Sequence, residues 1–330
     1  MSWETLIGND RVKATLKAAL IENRLAHGLI FSGPDGVGKR QFALTVAKAV
    51  NCVEARADSC DHCAVCRKIE AGDHIDVQIL GPDGAFIKVS QVRQLVGEAN
   101  YRPFESRKRV FILDPASAMN EQAANALLKT LEEPPATSLV ILITDKLQAL
   151  LPTVRSRCQI HTFTPLKVEQ VEDFLRARYP RPEAEIKLIA RLSAGRIGRA
   201  LEIDLSAYQE QRKETIELLK LLVASNNQAR LIRAAEYLGR KLSREEFERR
   251  LDVLNIVLRD VFRFITEGGS AEVTNIDMVP ILRQLAKKWS LEKIEHFTGQ
   301  LETLRRNLQQ NIHRQIALEE IFLLEMSKNI

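Results

Sequence analysis

Aromatic side chains are scarce in this chain: Phe, Tyr and Trp together make up 5% of its 330 residues. A platform for single-stranded nucleic acid interleaves aromatics with basic residues, and no such stripe occurs, so an independent DNA-binding protein has little support. Long apolar runs are missing as well. None reaches the roughly 18 residues that a bilayer-spanning helix requires, and no membrane role is expected. The opening residues MSWETLIGNDRVK lack the basic-then-apolar order of a secretory signal, which makes the cytoplasm the expected location. With 15 Gly and 11 Pro, collagen-like and low-complexity chains are excluded. Charge of one sign is lacking too. The net charge is +5, and residues 206–330 carry 20 basic and 18 acidic residues, so no tail concentrates the excess. Such a balance permits a DNA-facing surface without arguing for one.

What remains is an ordinary globular composition, 45% hydrophobic and 28% charged, long enough for two or three domains with cores of their own. Short apolar runs stand at His27–Ser32, Asp76–Leu80, Arg109–Asp114, Ser138–Thr144 and Cys158–Phe163. Most are continuous and rich in Leu or β-branched residues, the pattern of strands buried on both faces. Helical patterns lie between them near 9–23, 39–51, 89–100 and 118–132, so residues 1–165 predict a parallel sheet covered by helices on both sides. After Pro165 a small helical module is expected over 166–205. From 206 to 330 only helical patterns follow, in six segments separated by short polar breaks.

Directly after the first strand comes Gly33-Pro-Asp-Gly-Val-Gly-Lys-Arg40, and then a helix. Gly33, Gly36 and Gly38 let the backbone curl its N–H groups toward a phosphate, the helix adds its positive end, and Lys39 can reach the outer phosphates of ATP or ADP. The next residue in a complete phosphate loop is Ser or Thr, whose hydroxyl holds Mg²⁺. Here it is Arg40, which cannot ligate a metal and repels one. The strand 109–114 supplies one carboxylate, Asp114, but the position of a water-polarising Glu is taken by Pro115, and the next acidic residue is Glu121. Both changes predict that phosphate binding outlasts hydrolysis.

Four of the five cysteines, Cys52, Cys60, Cys63 and Cys66, lie in one stretch. In a cytoplasmic chain, clustered thiols argue for metal, and four sulfurs suit a structural, closed tetrahedral Zn²⁺ site. His62 is a substitute ligand within the cluster. Reduced, metal-free cysteines and an iron–sulfur cluster are the other readings. Cys158, alone and distant, reads as a packed thiol. On the turn Pro152–Cys158, Arg155 and Arg157 read as surface arginines or as a finger aimed at another subunit's γ-phosphate.

The segments LIGND at 6–10, GPDGVGKR at 33–40, NALLKTLEEPP at 125–135, SRC at 156–158 and GRAL at 198–201, with the four-cysteine insert, resemble the clamp-loader subunits of the AAA+ ATPases. The resemblance covers 1–205 by motif and 206–330 by helical character and length. It implies a RecA-like AAA+ domain with a zinc insert (52–66), a three-helix lid at 166–205 and a helical collar at 206–330 that joins five subunits in a ring. It also implies that Arg157 is an arginine finger acting in trans, that Thr144 and Arg199 stand where the family's two sensors stand, and that Leu6–Gly8 line the adenine pocket. Plainer readings stay open for two of these, Thr144 satisfying local backbone and Arg199 as a solvated charge. Lys129 and the Glu132–Glu133 pair read as surface. The implied role is a stator that partners motor and clamp-opening subunits, a sliding clamp and primed DNA, while ATP is hydrolysed in its neighbours. The competing readings are a motor subunit, with Asp114 alone holding Mg²⁺, and a zinc-stabilised nucleotide-binding adaptor outside any such ring.

Overall fold

The computed structural model of the chain describes residues 2–223, 228–308 and 312–327. Five strands, β1 (Gly28–Ser32), β2 (Val77–Leu80), β3 (Arg109–Leu113), β4 (Ser138–Thr144) and β5 (Gln159–Thr162), form one sheet in the order β2-β3-β4-β1-β5. Every pairing is parallel. The continuous runs have the expected consequence: β1 and β4 are buried along their whole length. Alternate residues face opposite layers. Leu29 and Phe31 pack with Val12 and Leu16 of α1 (Asp10–Ile21) and with Phe42 and Val46 of α2 (Lys39–Asn51). Ile30 packs on the other face with residues of α4 (Val89–Ala99) and α5 (Glu121–Glu132), among them Leu95 and Leu127. Burial falls off at the two edges: β2 is only half-buried beyond Val77, and β5 departs furthest. It is an edge strand in which His161 alone is buried.

Local chemistry fixes the boundaries. Helix α5 starts later than its periodicity predicts, because the Asn120 side chain accepts the Ala123 N–H at 2.9 Å and so takes the cap position. It stops before Pro134 and Pro135, which cannot continue it. A helix the sequence did not announce, α3 (Ala64–Ala71), lies inside the cysteine insert.

The chain divides into two compact units. The first comprises the residues up to Pro180 together with Ser193–Glu202, and the second comprises Arg181–Leu192 and the residues from Ile203 on. The stretch read as a lid contains α7 (Val168–Arg178), α8 (Glu183–Ser193) and α9 (Ile197–Glu202). Contacts place α7 and α9 with the sheet, and α8 through Leu192 with the later helices. Within the second unit the Arg191 guanidinium, for example, donates to the Val273 carbonyl at 3.1 Å. That unit continues with α10 (Leu205–Val223), α11 (Gln228–Glu236), α12 (Arg244–Glu267), α13 (Val279–Ala286), α14 (Leu291–Asn307) and α15 (Arg314–Ser327). Their apolar faces close on one core around Leu219, Phe247, Val257, Val261, Phe297 and Phe322. None of the described helices is long and apolar enough to cross a membrane.

Candidate nucleotide pocket and metal centre

The loop between β1 and α2 lies at the carboxyl ends of the strands, where β1 is flanked by β4 and β5, the position at which parallel sheets open a ligand crevice. Gly38 opens α2 at φ 94°, a conformation that L side chains rarely adopt. Gly33 and Gly36 are required by close approach. A Cβ at Gly33 would meet the Phe163 carbonyl at 2.3 Å, and one at Gly36 would meet the Arg199 amide at 3.1 Å. The loop borders a cavity of about 530 Å³ lined by Thr5–Ile7, the loop itself, Asp114, and Phe174, Arg178, Ile197 and Leu201. Leu6 and Ile7 of the N-terminal segment thus reach the cavity, and Gly8 does not line it.

Lys39 is 95% buried, its relative exposure being 5%. Its Nζ donates to the carbonyls of Gly33 (2.6 Å) and Pro34 (2.7 Å). Burial pulls the lysine below the usual range, against the opposing charges of Asp35, Asp114 and Asp145. The Gly36 N–H, a group that would face a phosphate, donates to Asp35 Oδ1 at 2.9 Å. A carboxylate therefore stands at this amide as an internal anion, and the loop chemistry fits a phosphate oxygen there. Arg40 lines the cavity with Nη1 3.9 Å from Asp114 Oδ2. Burial raises the Asp114 carboxyl above its ordinary range, while Arg40 and Lys39 act in the opposite sense. The two positions that would hold a metal, 40 and 114, are joined as an ion pair.

Thr144 is fully buried. Its hydroxyl donates to the Lys146 carbonyl and accepts the Lys146 N–H, both at 3.1 Å. Arg199 lies on α9, beside Gly198, whose N–H donates to the Gly36 carbonyl at 2.9 Å. Glu121 is the first residue of α5, and Asp145 is the further acid near Lys39. Sequence reasoning missed Asp35, Asp145 and Arg178. Asp145 was detectable in principle, since it directly follows β4, the strand that neighbours β1.

Arg157 sits on the turn between α6 (Pro152–Arg155) and β5. Its Nη2 is 2.6 Å from Glu132 Oε1, and its Nη1 donates to the Thr153 carbonyl at 2.9 Å. A third of the side chain remains exposed. Arg155 instead donates to Gln148 Oε1 at 2.6 Å. Glu132 is at the surface, as read, but it has a partner the sequence did not indicate. Cys158 packs against the Gly28 backbone, and burial pushes its thiol up to about 12.

The thiols of Cys52, Cys60, Cys63 and Cys66 lie within 4.8 Å of one another. A tetrahedral ion with metal–sulfur bonds of about 2.3 Å needs sulfurs about 3.8 Å apart; the Cys60–Cys66 separation is 4.0 Å. Backbone N–H groups of Ala55, Cys63 and Cys66 donate to the sulfurs of Cys52, Cys60 and Cys63. Such bonds favour thiolates, the form that binds metal. Against the effect of burial, backbone N–H groups hold the Cys52 thiol down at about 7 and that of Cys63 below its ordinary range, whereas burial holds those of Cys60 and Cys66 above it. His62 is outside the four-thiol set; its Nδ1 is 3.2 Å from Glu54, and these two with Cys60 form a second group of candidate ligand atoms within 4.8 Å of one another. The insert is tied to the sheet domain by Lys48 of α2, which pairs with Asp61 at 2.9 Å and with Glu70, and by Trp3, whose indole N–H donates to the Ala57 carbonyl at 2.9 Å.

A parallel sheet carrying a phosphate loop at the end of β1, followed by helices, gives the first unit a RecA-like fold of the AAA+ type. Comparison with known proteins narrows the class. Residues 8–167 match the family model described as DNA polymerase III, delta subunit, and residues 206–327 match its C-terminal counterpart. The chain is 30% identical to the DNA polymerase III subunit delta' of Bacillus subtilis, over 98% of both chains. It is 28% identical to that of Escherichia coli, over 98% of this chain and 95% of the relative. The DNA polymerase III subunit tau of B. subtilis is 36% identical over 49% of this chain and 29% of its own length. The chain belongs to the delta' family of DNA polymerase III subunits.

Proposed function

We propose that this chain is the stator of a replicative clamp loader: it joins motor and clamp-opening subunits in a five-membered ring, presents Arg157 to a neighbour's ATP, and helps place a sliding clamp on primed DNA. The observation that carries this reading is Arg40, which stands where a hydroxyl would hold Mg²⁺ for hydrolysis and places its charge 3.9 Å from Asp114, the carboxylate that would help hold the ion. Arg157 is untouched by that loss because it would act on another chain. The family membership supports the assembly. Residues 166–205 are the lid, 206–330 the collar, and the four thiols hold a structural Zn²⁺. The protein works in the cytoplasm.

Mechanistically, the Arg157 guanidinium neutralises charge developing on a γ-phosphate held by the adjacent subunit. Its own cavity takes ATP or ADP through Lys39 and the loop amides, without turnover. The test is clamp- and DNA-stimulated ATPase of the reconstituted loader. Arg157→Ala is expected to lower turnover several-fold and Lys39→Ala to leave it unchanged. Loss on Lys39→Ala alone would make this chain a motor subunit. Unchanged turnover in both variants would reduce it to a scaffold.

A further inference from the structure

We infer that the cavity beside the phosphate loop binds a nucleoside polyphosphate without a divalent cation, Arg40 serving as the built-in counter-charge that Mg²⁺ supplies elsewhere. This rests on the reading of that cavity as a nucleotide site and concerns how the ligand is held, not the trans role of Arg157.

A magnesium ion in a phosphate loop needs a hydroxyl at the residue after the lysine and a carboxylate from the neighbouring strand. In this chain the first is absent, since position 40 is Arg. The second is engaged: Asp114 Oδ2 faces Arg40 Nη1 at 3.9 Å. An ion placed between them would meet the positive charge of Arg40 at short range. Polyphosphate, however, still requires neutralisation, and the cavity supplies it. Lys39, Arg40 and Arg178 all line it, against the carboxylates of Asp35 and Asp114. Arg40 is 58% exposed, so its guanidinium is free to swing from Asp114 to a phosphate, where a fork of N–H donors suits phosphate oxygens.

Two opposite consequences separate this device from an ordinary metal site. At a metal site the carboxylate helps hold the ion, so neutralising it weakens nucleotide binding. Here the carboxylate competes with the ligand for Arg40, so neutralising it strengthens binding.

The experiment is calorimetric titration of ADP, and separately ATP, into the full-length chain. The buffer is freed of divalent ions on a resin and used with or without added Mg²⁺, because a soluble chelator would also attack the thiol-bound metal. The wild-type affinity is expected to fall on adding Mg²⁺, more for ATP than for ADP because the ion sequesters the free nucleotide, Arg40→Thr to bind about tenfold more tightly with Mg²⁺ than without it, and Asp114→Asn to bind more tightly than wild type without Mg²⁺. Thermal melts check that both variants fold. A wild-type affinity that rises about tenfold with Mg²⁺, or a weaker Asp114→Asn, overturns this inference and leaves the nucleotide reading standing. No binding of either nucleotide by the folded chain overturns both.

Discussion

Arg157 is held on its own subunit by the Glu132 carboxylate from α5 and the Thr153 carbonyl of α6, with the Ser156 hydroxyl at 3.4 Å. The Glu132 pair is about half exposed, so it contributes only about 0.2–1 kcal/mol to stability. Its geometric effect is larger. A guanidinium fixed at Nη2 by Glu132 and at Nη1 by Thr153 keeps one orientation, and a finger that must meet a phosphate loses efficiency when misplaced by an ångström. Glu132→Ala is therefore expected to lower loader ATPase less than Arg157→Ala does, while moving the melting temperature little. The double variant should be no worse than Arg157→Ala alone. Additive losses in that double-mutant cycle would show that Glu132 acts elsewhere than through Arg157.

At the scale of elements, the cysteine insert has little core of its own, so the proposed zinc would carry much of its stability. Apart from the buried thiols, its apolar contribution is small, and only α3 gives it regular structure. Metal analysis of the purified chain is expected to find one zinc per chain. Cys63→Ser should lose it and lower the melting temperature by about 5–10 °C, the shift produced by 2–3 kcal/mol in a unit of this size. A Cys63→Ser chain that keeps both zinc and stability would overturn the assignment. This insert also illustrates what sequence reading reaches. Its four clustered thiols were visible because thiol spacing is a local property, as were β1 and β4, whose unbroken apolar runs leave no solvent face. The ties that hold the insert in place, Lys48 to Asp61 and Glu70, and Trp3 to Ala57, were not. Each joins residues of ordinary type across a fold-dependent distance. The same applies to Glu132 beside Arg157, and to Arg178 in the cavity. Strand β5 was found by its pattern, yet its exposure follows from edge position, which only the topology reveals.

Among the described residues the sheet unit has an apolar core on each face of its sheet and the later helices close on a core of their own, and each unit holds one of the two tryptophans, Trp3 and Trp289. Their response to acid should differ. In the sheet unit, burial holds the imidazoles of His74 and His161 below the ordinary histidine range, Glu105 and Asp76 opposing it only for His74. His161 Nε2 is buried without a hydrogen-bond partner. As pH falls through about 6.5 the unfolded chain takes up protons that the folded rings refuse, so folding stability is present above that pH and declines below it. In the helical unit the lowered groups are the carboxylates of Asp204 and Glu246, both caps at the surface, and their stabilisation is lost only in the carboxylate range. Between pH 7.5 and 5.5 the melt followed by Trp3 in a Trp289→Phe chain should therefore move down, while that followed by Trp289 in a Trp3→Phe chain stays in place. His161→Phe removes an unpaired buried polar group and is expected to stabilise the sheet unit by about 1 kcal/mol and to flatten part of its acid slope. A Trp289 transition that tracks the Trp3 transition across this pH range, or an unchanged slope in His161→Phe, would place the proton-linked loss outside these two rings.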